Sequence, residues 1–595
     1  MNAPANSADG GLQVPAADAT PRRDALALLW RAAGPDRKEI GWAALWLVAA
    51  GLLEAAGPLF GKELIDRYLV PRVMDVPAMA WLIAAFLITG ALATLIRYFQ
   101  LVRLAGLAMR SVQRLREAVY THVLQLPMRF FDSAITGKLV SRITNDTESV
   151  KQLYTKVLFE LLVGATVLFG VVVAMLWLDW RLMLLVLLLV PATIVIILGY
   201  QRLSAAAVTR SRELRSDLNA QLAEGIAGMS VLQASGATER FRERFAETNR
   251  EHYAARMGEV RANAWLLRPA LDFTSILLIV AIVAVVGTQQ LQGVEVGLLY
   301  AFIAYVARVV DPLIQITMQF SSLQQSLIAA SRVDTLLQET EVPRSTHDRR
   351  IERGRLELAD VAFGYDPAQP VLHDLRLVIP AGSYVGVVGH TGSGKSTLLS
   401  LLLRFYSPQA GRIEIDGVPL AQFDDATFRA QVSLVPQEPF LLAASARENI
   451  DMGRGLAEDV IVAAARAARA HDFIDRLEAG YDTPLGEGGA RVSAGQKQLI
   501  AVARALAGQP MILLLDEATS RIDSETEQRV RAALDDLRGR TTVVAIAHRL
   551  STIRAADRII VLNHGRIAES GNHDALMAID GGIYQRLYLL QQIGD

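Results

Sequence analysis

Apolar residues dominate the first half of the chain in six long runs. They lie at roughly 40–61, 78–101, 156–178, 182–202, 264–288 and 296–320. A helix needs about 20 apolar residues to cross the roughly 30 Å of hydrocarbon in a bilayer, and each run is long enough. One such run could be a buried helix of a soluble protein, but six runs, most with one charge or none, predict six membrane-spanning helices.

The connections between the runs differ in length and charge. Those between runs 1 and 2, 3 and 4, and 5 and 6 are short, whereas the other two are long, charged and helix-like. Both long connections are rich in Lys and Arg, the second of them for example at 210–215 and 238–245, so the positive-inside rule places them and both chain ends in the cytoplasm. They are predicted to continue the membrane helices into the cytosol.

Beyond residue 320 the pattern changes to strands alternating with helices, which predicts an α/β domain. We expect a disordered tail at 1–21, since it is small, polar and without the basic and apolar regions of a signal peptide. The other predicted segments are a transmembrane domain at 22–338, with six helices and two long cytoplasmic loops, a linker at 339–353 and the α/β domain at 354–595.

Composition narrows the classes of function. With 60 Lys and Arg against 61 Asp and Glu, the formal net charge is −1, which argues against a nucleic-acid partner. The chain has no cysteine, which excludes disulfides, zinc–thiolate sites and a cysteine nucleophile.

A glycine-rich run is the first indication of a functional site. Residues 389–396 read Gly-His-Thr-Gly-Ser-Gly-Lys-Ser, between a strand-like stretch at 384–388 and a helix-like stretch at 397–403. This is the context of a P-loop, whose backbone N–H groups and helix N-terminus bind phosphate. Lys395 would reach the β- and γ-phosphates, and Ser396 would bind Mg²⁺. The ATP-binding residues predicted here are Gly389, Thr391, Gly392, Gly394, Lys395, Ser396 and Thr397.

Two carboxylates end a second apolar strand at 511–515. At the end of such a strand, Asp516 is placed for the Mg²⁺ shell. Glu517 is placed to polarise the water that attacks the γ-phosphate. The pair behind a P-loop predicts nucleotide hydrolysis.

The segment Val-Ser-Ala-Gly-Gln at 492–496 lies just before these carboxylates and leads into a helix-like stretch. With the motifs around it, the chain resembles an ATP-binding cassette (ABC) exporter half-transporter, in which a membrane domain precedes the cassette. The family's signature is LSGGQ. Ser493, Gly495 and Gln496 match it, whereas Val492 and Ala494 depart from it.

This resemblance covers about residue 22 to the C-terminus and implies further site residues. Tyr365 resembles the aromatic residue that stacks on adenine, and Gln437 resembles the glutamine that senses Mg²⁺ and the attacking water. Asp523 closes a D-loop at 520–523, where Arg521 replaces the usual Ala, and His548 resembles the histidine that binds the γ-phosphate. The implied catalytic residues are Glu517, His548 and Gln437, and the implied metal ligands are Ser396, Gln437 and Asp516. The stretch 129–132 fits the first intracellular loop.

The implied fold is multidomain, with a six-helix all-α transmembrane domain followed by an α/β P-loop cassette. The chain looks closest to MdlB/SmdB-type bacterial multidrug half-transporters. That resemblance implies ATP and Mg²⁺ as cofactors and a second chain as partner, either an identical copy or a related half-transporter. It also implies ATP-driven export of amphipathic or hydrophobic compounds across the inner membrane by alternating access. A lipid flippase and an ATP-gated regulatory protein remain alternatives.

Charged residues inside the spans are candidates for a substrate site, because charge in the membrane is costly and usually functional. They are Glu54, Glu160, Arg268, Asp272, Arg308 and Asp311. Arg308 and Asp311 lie three apart on one predicted helix and are the leading substrate-cavity candidates. The alternative is that these two only neutralise each other or meet a partner chain.

Overall fold

The computed structural model describes residues 27–28, 30–32, 34–266, 268–289, 296–341, 349–517, 523–547 and 549–594. The chain divides into two units, one formed by 1–125 with 134–339 and the other by 126–133 with 340–595. The predicted tail at 1–21 lies outside the described residues. The short segment 126–133 therefore belongs with the second unit, although it comes from the connection between the second and third apolar runs.

The first unit is helical. In chain order the helices up to residue 337 are α1 (Arg37–Ala55), α2 (Gly57–Leu64), α3 (Val76–Val123), α4 (Met128–Ser133), α5 (Thr136–Ser141), α6 (Thr147–Gln152), α7 (Phe159–Leu178), α8 (Trp180–Leu187), α9 (Leu189–Ala227), α10 (Met229–Ala234), α11 (Thr238–Leu266), α12 (Arg268–Gln289) and α13 (Val296–Leu337). Of these, α4 lies in the second unit. Wider turns at Arg142–Asp146 and Leu153–Leu158 join α5, α6 and α7 into one long helix.

Six helical stretches among the described residues are long and apolar enough to cross a membrane, which confirms the six predicted spans. They are Gly34–Leu69, Val76–Val123, Thr136–Leu178, Trp180–Ala227, Thr238–Val286 and Val296–Ile316. The 48 residues of α3 alone extend about 72 Å, more than twice the hydrocarbon thickness. Helix α3 is therefore much longer than a membrane crossing requires.

Helix α13 carries the largest buried side chains of this unit. Phe302 and Tyr305 are fully buried and belong to a core cluster with Ala55 of α1, Met175 of α7 and Leu271 of α12. Earlier in the chain, α9 and α11 lie side by side and are joined by an ion pair of 2.6 Å between Arg210 and Glu251.

The first span is broken in its middle. Helix α1 ends at Ala55 and α2 begins at Gly57, with Pro58 in its first turn. Proline has no backbone N–H and cannot serve the carbonyl four residues earlier, which here is Glu54. The sequence places one uninterrupted run at 40–61, so this break was not predicted.

The second unit contains two sheets. Its strands are β1 (Leu356–Phe363), β2 (Leu372–Ile379), β3 (Tyr384–Val388), β4 (Ala410–Ile415), β5 (Val418–Pro419), β6 (Val432–Val435), β7 (Ile512–Asp516), β8 (Thr542–Ile546), β9 (Arg558–Asn563) and β10 (Arg566–Gly571). One sheet has the order β2-β1-β4-β5 and is antiparallel. The other has the order β10-β9-β3-β8-β7-β6, and all its pairs except β10 with β9 are parallel.

Helices of the second unit connect and flank these strands. They are α14 (Lys395–Leu402), α15 (Asp425–Gln431), α16 (Ala446–Asp451), α17 (Glu458–Ala467), α18 (His471–Asp475), α19 (Ala494–Ala507), α20 (Ser524–Asp535), α21 (Leu550–Ile553), α22 (His573–Met577) and α23 (Ile583–Gly594).

The parallel sheet is buried on both faces. Along β7, Leu513 and Leu515 join one core cluster, while Ile512 and Leu514 join another. This alternation follows from the two-residue period of a strand, and near-continuous apolar strands are typical of covered parallel sheets. Because β3, β6, β7 and β8 are parallel, the residues that follow their carboxyl ends meet at one edge of the sheet, where α/β proteins bind ligands.

Candidate functional site

The loop after β3 has the backbone conformation of a phosphate cradle. Gly389, Gly392 and Gly394 have φ values of 155°, 79° and 100°, a region that disfavours residues with a side chain. Gly394 also forms the N-cap of α14, which starts at Lys395. The glycine spacing in the sequence therefore corresponds to real backbone requirements.

The lysine of this loop folds back over it. Lys395 Nζ donates to the carbonyl oxygens of Gly389 at 2.9 Å and His390 at 3.0 Å. Burial lowers the pKa of Lys395, and the nearby Glu517 and Asp516 carboxylates oppose that shift. The ammonium thus contacts the loop and is close enough to Glu517 and Asp516 to feel their charge.

Two features of the loop fit a phosphate group. The first N–H groups of α14, at Lys395, Ser396 and Thr397, have no acceptor inside the helix and add to its positive end. The hydroxyl of Ser393 is buried and has no hydrogen-bond partner in the part of the chain that the structure describes. Ser393 was not among the predicted site residues, although it lies within the motif. A phosphate oxygen would satisfy these donors.

The predicted carboxylates lie at the carboxyl end of β7. Burial raises the pKa of Asp516, the charge on Glu517 raises it further, and Lys395 opposes both. Glu517 has a φ of 43°, unusual for a residue with a side chain, and its backbone N–H donates to Ile546 at the end of β8. Strained backbone of this kind is common at functional sites.

Gln437 follows β6 and meets Glu517 directly. Its Nε2 donates to Glu517 Oε2 at 2.6 Å, although the two residues are 80 positions apart in sequence. The structure therefore brings together the P-loop, the two carboxylates and Gln437 at one sheet edge. His548, which follows β8, lies outside the described residues, as do residues 520–522 of the predicted D-loop with Arg521.

The oxygen atoms at this edge fit Mg²⁺. Ser396, Gln437 and Asp516 offer a hydroxyl, an amide carbonyl and a carboxylate, the hard oxygen ligands that Mg²⁺ prefers. No cluster of three His, Cys, Asp or Glu that could hold a metal is found among the described residues. A metal here would therefore share its shell with nucleotide phosphates, as Mg²⁺ commonly does.

The signature segment starts α19 with a reciprocal cap. Ser493 Oγ accepts from the N–H of Gln496 at 3.2 Å, and Gln496 Oε1 accepts from the N–H of Ser493 at 2.9 Å. A Cβ on Gly495 would lie 2.6 Å from Thr526 Oγ1, so this glycine is sterically required. Ala494, which departs from the family pattern, is exposed.

The same threonine connects the signature to Asp523. Asp523 caps α20 by accepting from the N–H of Thr526 at 2.9 Å and from its hydroxyl at 2.8 Å. Gly495 and Asp523 therefore both lie next to the Thr526 side chain. Among the described residues no hydrogen bond joins 493–496 to the P-loop at 389–396.

Tyr365 is half-exposed, at 54%, and belongs to a cluster of three aromatic rings. Its ring packs edge-on against Phe363 and Tyr406, with centroids 5.3 Å and 5.1 Å away. The Tyr406 hydroxyl donates to Asp132 of α4, and burial followed by this bond raises the pKa of Tyr406. Nothing in the sequence singled out Tyr406. The adenine role of Tyr365 stays a prediction.

The charged residues of the spans have partners that the sequence did not indicate. Arg308 donates to the backbone carbonyl of Glu54 at 2.5 Å, and the Glu54 carboxylate pairs with Arg97. An ion pair between Arg308 and Asp311, which their spacing suggested, is not found among the described residues. Glu160 accepts from Gln319 of α13. The side chain of Arg268 lies outside the described residues.

Comparison with known proteins identifies both units. Residues 40–313 match the family "ABC transporter transmembrane region", and residues 372–520 match the family "ABC transporter". The multidrug resistance-like ATP-binding protein MdlB of Buchnera aphidicola is 34% identical over 94% of this chain and 96% of that protein. A fatty acid ABC transporter ATP-binding/permease protein of Mycobacterium bovis is 37% identical over 88% of this chain and 82% of its own. The solved structure of a bacterial Atm1-family ABC exporter with ATP bound aligns with a TM-score of 0.78 and 29% identity, over 93% of this chain and 98% of that one.

Proposed function

Because the chain belongs to the ABC exporter family and is an ATP-hydrolysing, multi-pass membrane transporter, we propose that it exports amphipathic or hydrophobic compounds of the multidrug type. The observation that carries this is the 34% identity to an MdlB protein along nearly the whole of both chains. The proposed direction is outward across the inner membrane, with the cassette and both chain ends in the cytoplasm. The Lys- and Arg-rich connections support this orientation.

The residues at the sheet edge divide the work of ATP hydrolysis. Lys395, the loop backbone and the start of α14 bind the phosphates, and Tyr365 supports the adenine. Glu517 acts as general base toward a water at the γ-phosphate, and the amide of Gln437 holds its carboxylate in place. His548 is proposed to bind the γ-phosphate. Mg²⁺, when bound through Ser396, Gln437 and Asp516, would neutralise phosphate charge and orient the γ-phosphate.

One chain supplies one P-loop and one signature segment. Ser493 and Gln496 cap α19, and Gly495 lies against Thr526 of α20, whereas no hydrogen bond joins this segment to the P-loop within the described residues. We therefore propose that the signature of one chain completes the ATP site of a second chain, in a homodimer or with a related half-transporter. Binding of the γ-phosphate between them would favour a closed state, which supplies the differential contact that a switch needs.

Movement of a lipid is the second candidate function. It is supported by the fatty acid transporter of Mycobacterium bovis, which is slightly more identical to this chain than the MdlB protein is. Both functions use the same ATP site, so they differ only in the compound that the spans accept.

The purified full-length chain, alone in lipid nanodiscs, tests this proposal. We expect a dimer mass and ATP hydrolysis that amphipathic compounds stimulate, with Glu517→Gln as the inactive control. Stimulation by bilayer lipid alone would favour the lipid candidate. Hydrolysis that no amphipathic compound or lipid changes would contradict both candidates, and a monomeric, inactive chain would indicate that a different half-transporter is required.

A further inference from the structure

The break in the first span leaves two backbone carbonyls for the sixth span to satisfy. Pro58 cannot donate to Glu54, and the N–H of Leu59 bonds to Ala56 at 3.1 Å instead of to Ala55. Arg308 Nη1 donates to the Glu54 carbonyl and the Tyr305 hydroxyl to the Ala55 carbonyl, both at 2.5 Å. In a membrane such carbonyls need an internal donor. The Ala55 carbonyl accepts from a neutral hydroxyl, but the Glu54 carbonyl accepts from a charged guanidinium.

A cavity of about 220 Å³ opens beside this break, between α1, α2, α3 and α13. We call it the kink cavity. Its polar lining comes from Glu54, Thr89 and Arg308, and much of its apolar lining comes from Leu53, Phe86 and Leu87. Gly57 also borders it, and a Cβ there would lie 3.1 Å from the Phe86 ring and 3.6 Å from Arg308 Nη2. The absence of a side chain at Gly57 thus leaves room next to the guanidinium.

The charges at the kink cavity do not cancel. The Glu54 carboxylate is paired with Arg97, whereas Arg308 forms no ion pair with a carboxylate within the described residues. Asp311 does not line the cavity. One of Arg308's N–H groups is used by the Glu54 carbonyl, and a guanidinium carries several more. Glu54, Arg97 and Arg308 together therefore leave one positive charge at the cavity.

This charge lies deep in the membrane part of the unit. Arg308 follows Val296, the start of α13, by 12 residues, which is about 18 Å along the helix. Thr89 follows Val76, the start of α3, by 13 residues, or about 20 Å. Both positions are near the middle of a hydrocarbon layer roughly 30 Å thick, where an unpaired charge is unfavourable and marks functional sites.

We propose that the kink cavity binds the anionic headgroup of a singly charged amphiphile such as a long-chain carboxylate, with Arg308 as its counter-ion. The alkyl chain of the ligand packs against Leu53, Phe86 and Leu87. This inference rests on the proposed export of amphipathic compounds and specifies the headgroup that one site in the spans selects. The guanidinium gains a charge-assisted bond to a carboxylate that an alcohol of the same length cannot replace.

Three amphiphiles with one alkyl chain test the proposal: palmitic acid, hexadecanol and hexadecyltrimethylammonium. The full-length chain in zwitterionic nanodiscs is assayed for ATP hydrolysis against the concentration of each. We expect half-maximal stimulation by the acid at a concentration about 10-fold below that of the alcohol, since a hydrogen bond to a charged group contributes about that factor. In Arg308→Gln the acid and the alcohol should stimulate at similar concentrations. In Arg308→Lys part of the difference between them should remain.

Two matched variants separate anion binding from the support of the break. Tyr305→Phe removes the bond to the Ala55 carbonyl but keeps the charge, so the ratio of acid to alcohol should not change. Arg181→Gln removes an exposed charge of α8, away from the kink cavity, and should also leave the ratio intact. A ratio that falls equally in Tyr305→Phe and Arg308→Gln would overturn the anion site in favour of a structural role.

The remaining outcomes distinguish the anion site from the proposed export of amphiphiles. Equal stimulation of the wild-type chain by acid and alcohol, or stronger stimulation by the cation, would overturn the anion site and leave amphiphile export standing. A response to none of the three compounds would contradict amphiphile export and the anion site together. If Arg308→Gln does not fold, the ratio of acid to alcohol in the wild-type chain and in Arg308→Lys still tests the anion site.

Discussion

The cassette and the membrane unit hold their charged side chains in different ways. In the cassette, Lys395 bonds to carbonyls only five and six residues away, within one loop whose glycines set its path. In the membrane unit, Arg308 bonds to a carbonyl 254 residues away, and Arg97 to a carboxylate 43 residues away. In the cassette, short sequence motifs specify the residues of the site. In the membrane unit, the contacts of the charged residues depend on how distant helices pack.

This difference also separates what each charge does. Lys395, Asp516 and Glu517 are grouped so that burial and mutual charge shift the pKa values of Lys395 and Asp516, as expected where substrate charge must be bound. Arg308 donates to a backbone carbonyl at the break in the first span, as the neutral Tyr305 also does, and it lines the kink cavity as well. The following variants test the comparison, beginning with the largest expected effect.

Glu517→Gln should lower ATP hydrolysis about 1000-fold, since it removes a general base while keeping the shape of the site. Nucleotide binding should persist, because the P-loop contacts of Lys395 are unchanged. Hydrolysis is measured by phosphate release and binding by nucleotide fluorescence. Turnover near the wild-type rate would exclude Glu517 as the base.

Lys395→Ala should weaken nucleotide binding about 30-fold, because a charge-assisted contact to phosphate is lost in both ground and transition states. Turnover should fall with it. Equilibrium binding of a labelled nucleotide measures the effect, and Lys497→Ala, on the helix after the signature, is the matched control. If affinity were the same in both variants, the P-loop assignment would be wrong.

Arg308→Ala should lower the free energy of unfolding by about 2 kcal/mol, because the Glu54 carbonyl loses its donor in a low-dielectric setting. Pro58→Ala restores an N–H four residues after Glu54. In the Pro58→Ala background, Arg308→Ala should therefore have a smaller effect. The free energy of unfolding of the wild type, the two single variants and the double variant is measured in mixed micelles. Additive effects of the two substitutions would show that Arg308 does not compensate for the N–H missing at Pro58.

Gly495→Ala should destabilise the cassette by about 1 to 2 kcal/mol, since the new Cβ would lie 2.6 Å from Thr526 Oγ1. Ala494→Gly, one residue earlier and exposed, is its control and should keep stability within about 1 kcal/mol. It should also maintain or raise ATP hydrolysis. Calorimetry and phosphate release measure the pair, and a large loss in Ala494→Gly would reveal a packing role for that methyl group.

Tyr406→Phe should have the smallest effect, about 1 kcal/mol, because it deletes one hydrogen bond to Asp132 and keeps the ring beside Tyr365. Hydrogen exchange in 126–133 should rise about fivefold. Asp132→Asn should act through the same bond, so the double variant should add little. Unchanged exchange in 126–133 would mean that the bond does not anchor α4.

The sequence predicted the cassette better than the interior of the membrane unit for a physical reason. A glycine that needs positive φ, or a carboxylate at a strand end, is specified by neighbours in sequence, so Gly394 and Asp516 were identified directly. The six spans followed from apolar length alone. The pairing of Arg308 with the Glu54 carbonyl depends on Pro58 and on the packing of two distant helices, and no spacing along the chain reveals it. The hydrogen bond of Tyr406 was not predicted for the same reason, since its partner Asp132 lies 274 residues away.

Uptake into inverted membrane vesicles tests the central claim, export driven by ATP, most directly. Vesicles that contain the wild-type chain should accumulate a fluorescent amphiphile when ATP is added, and those with Glu517→Gln should not. Hydrolysis of ATP without accumulation of amphiphile or movement of lipid, at equal rates in the presence and absence of these compounds, would contradict the account.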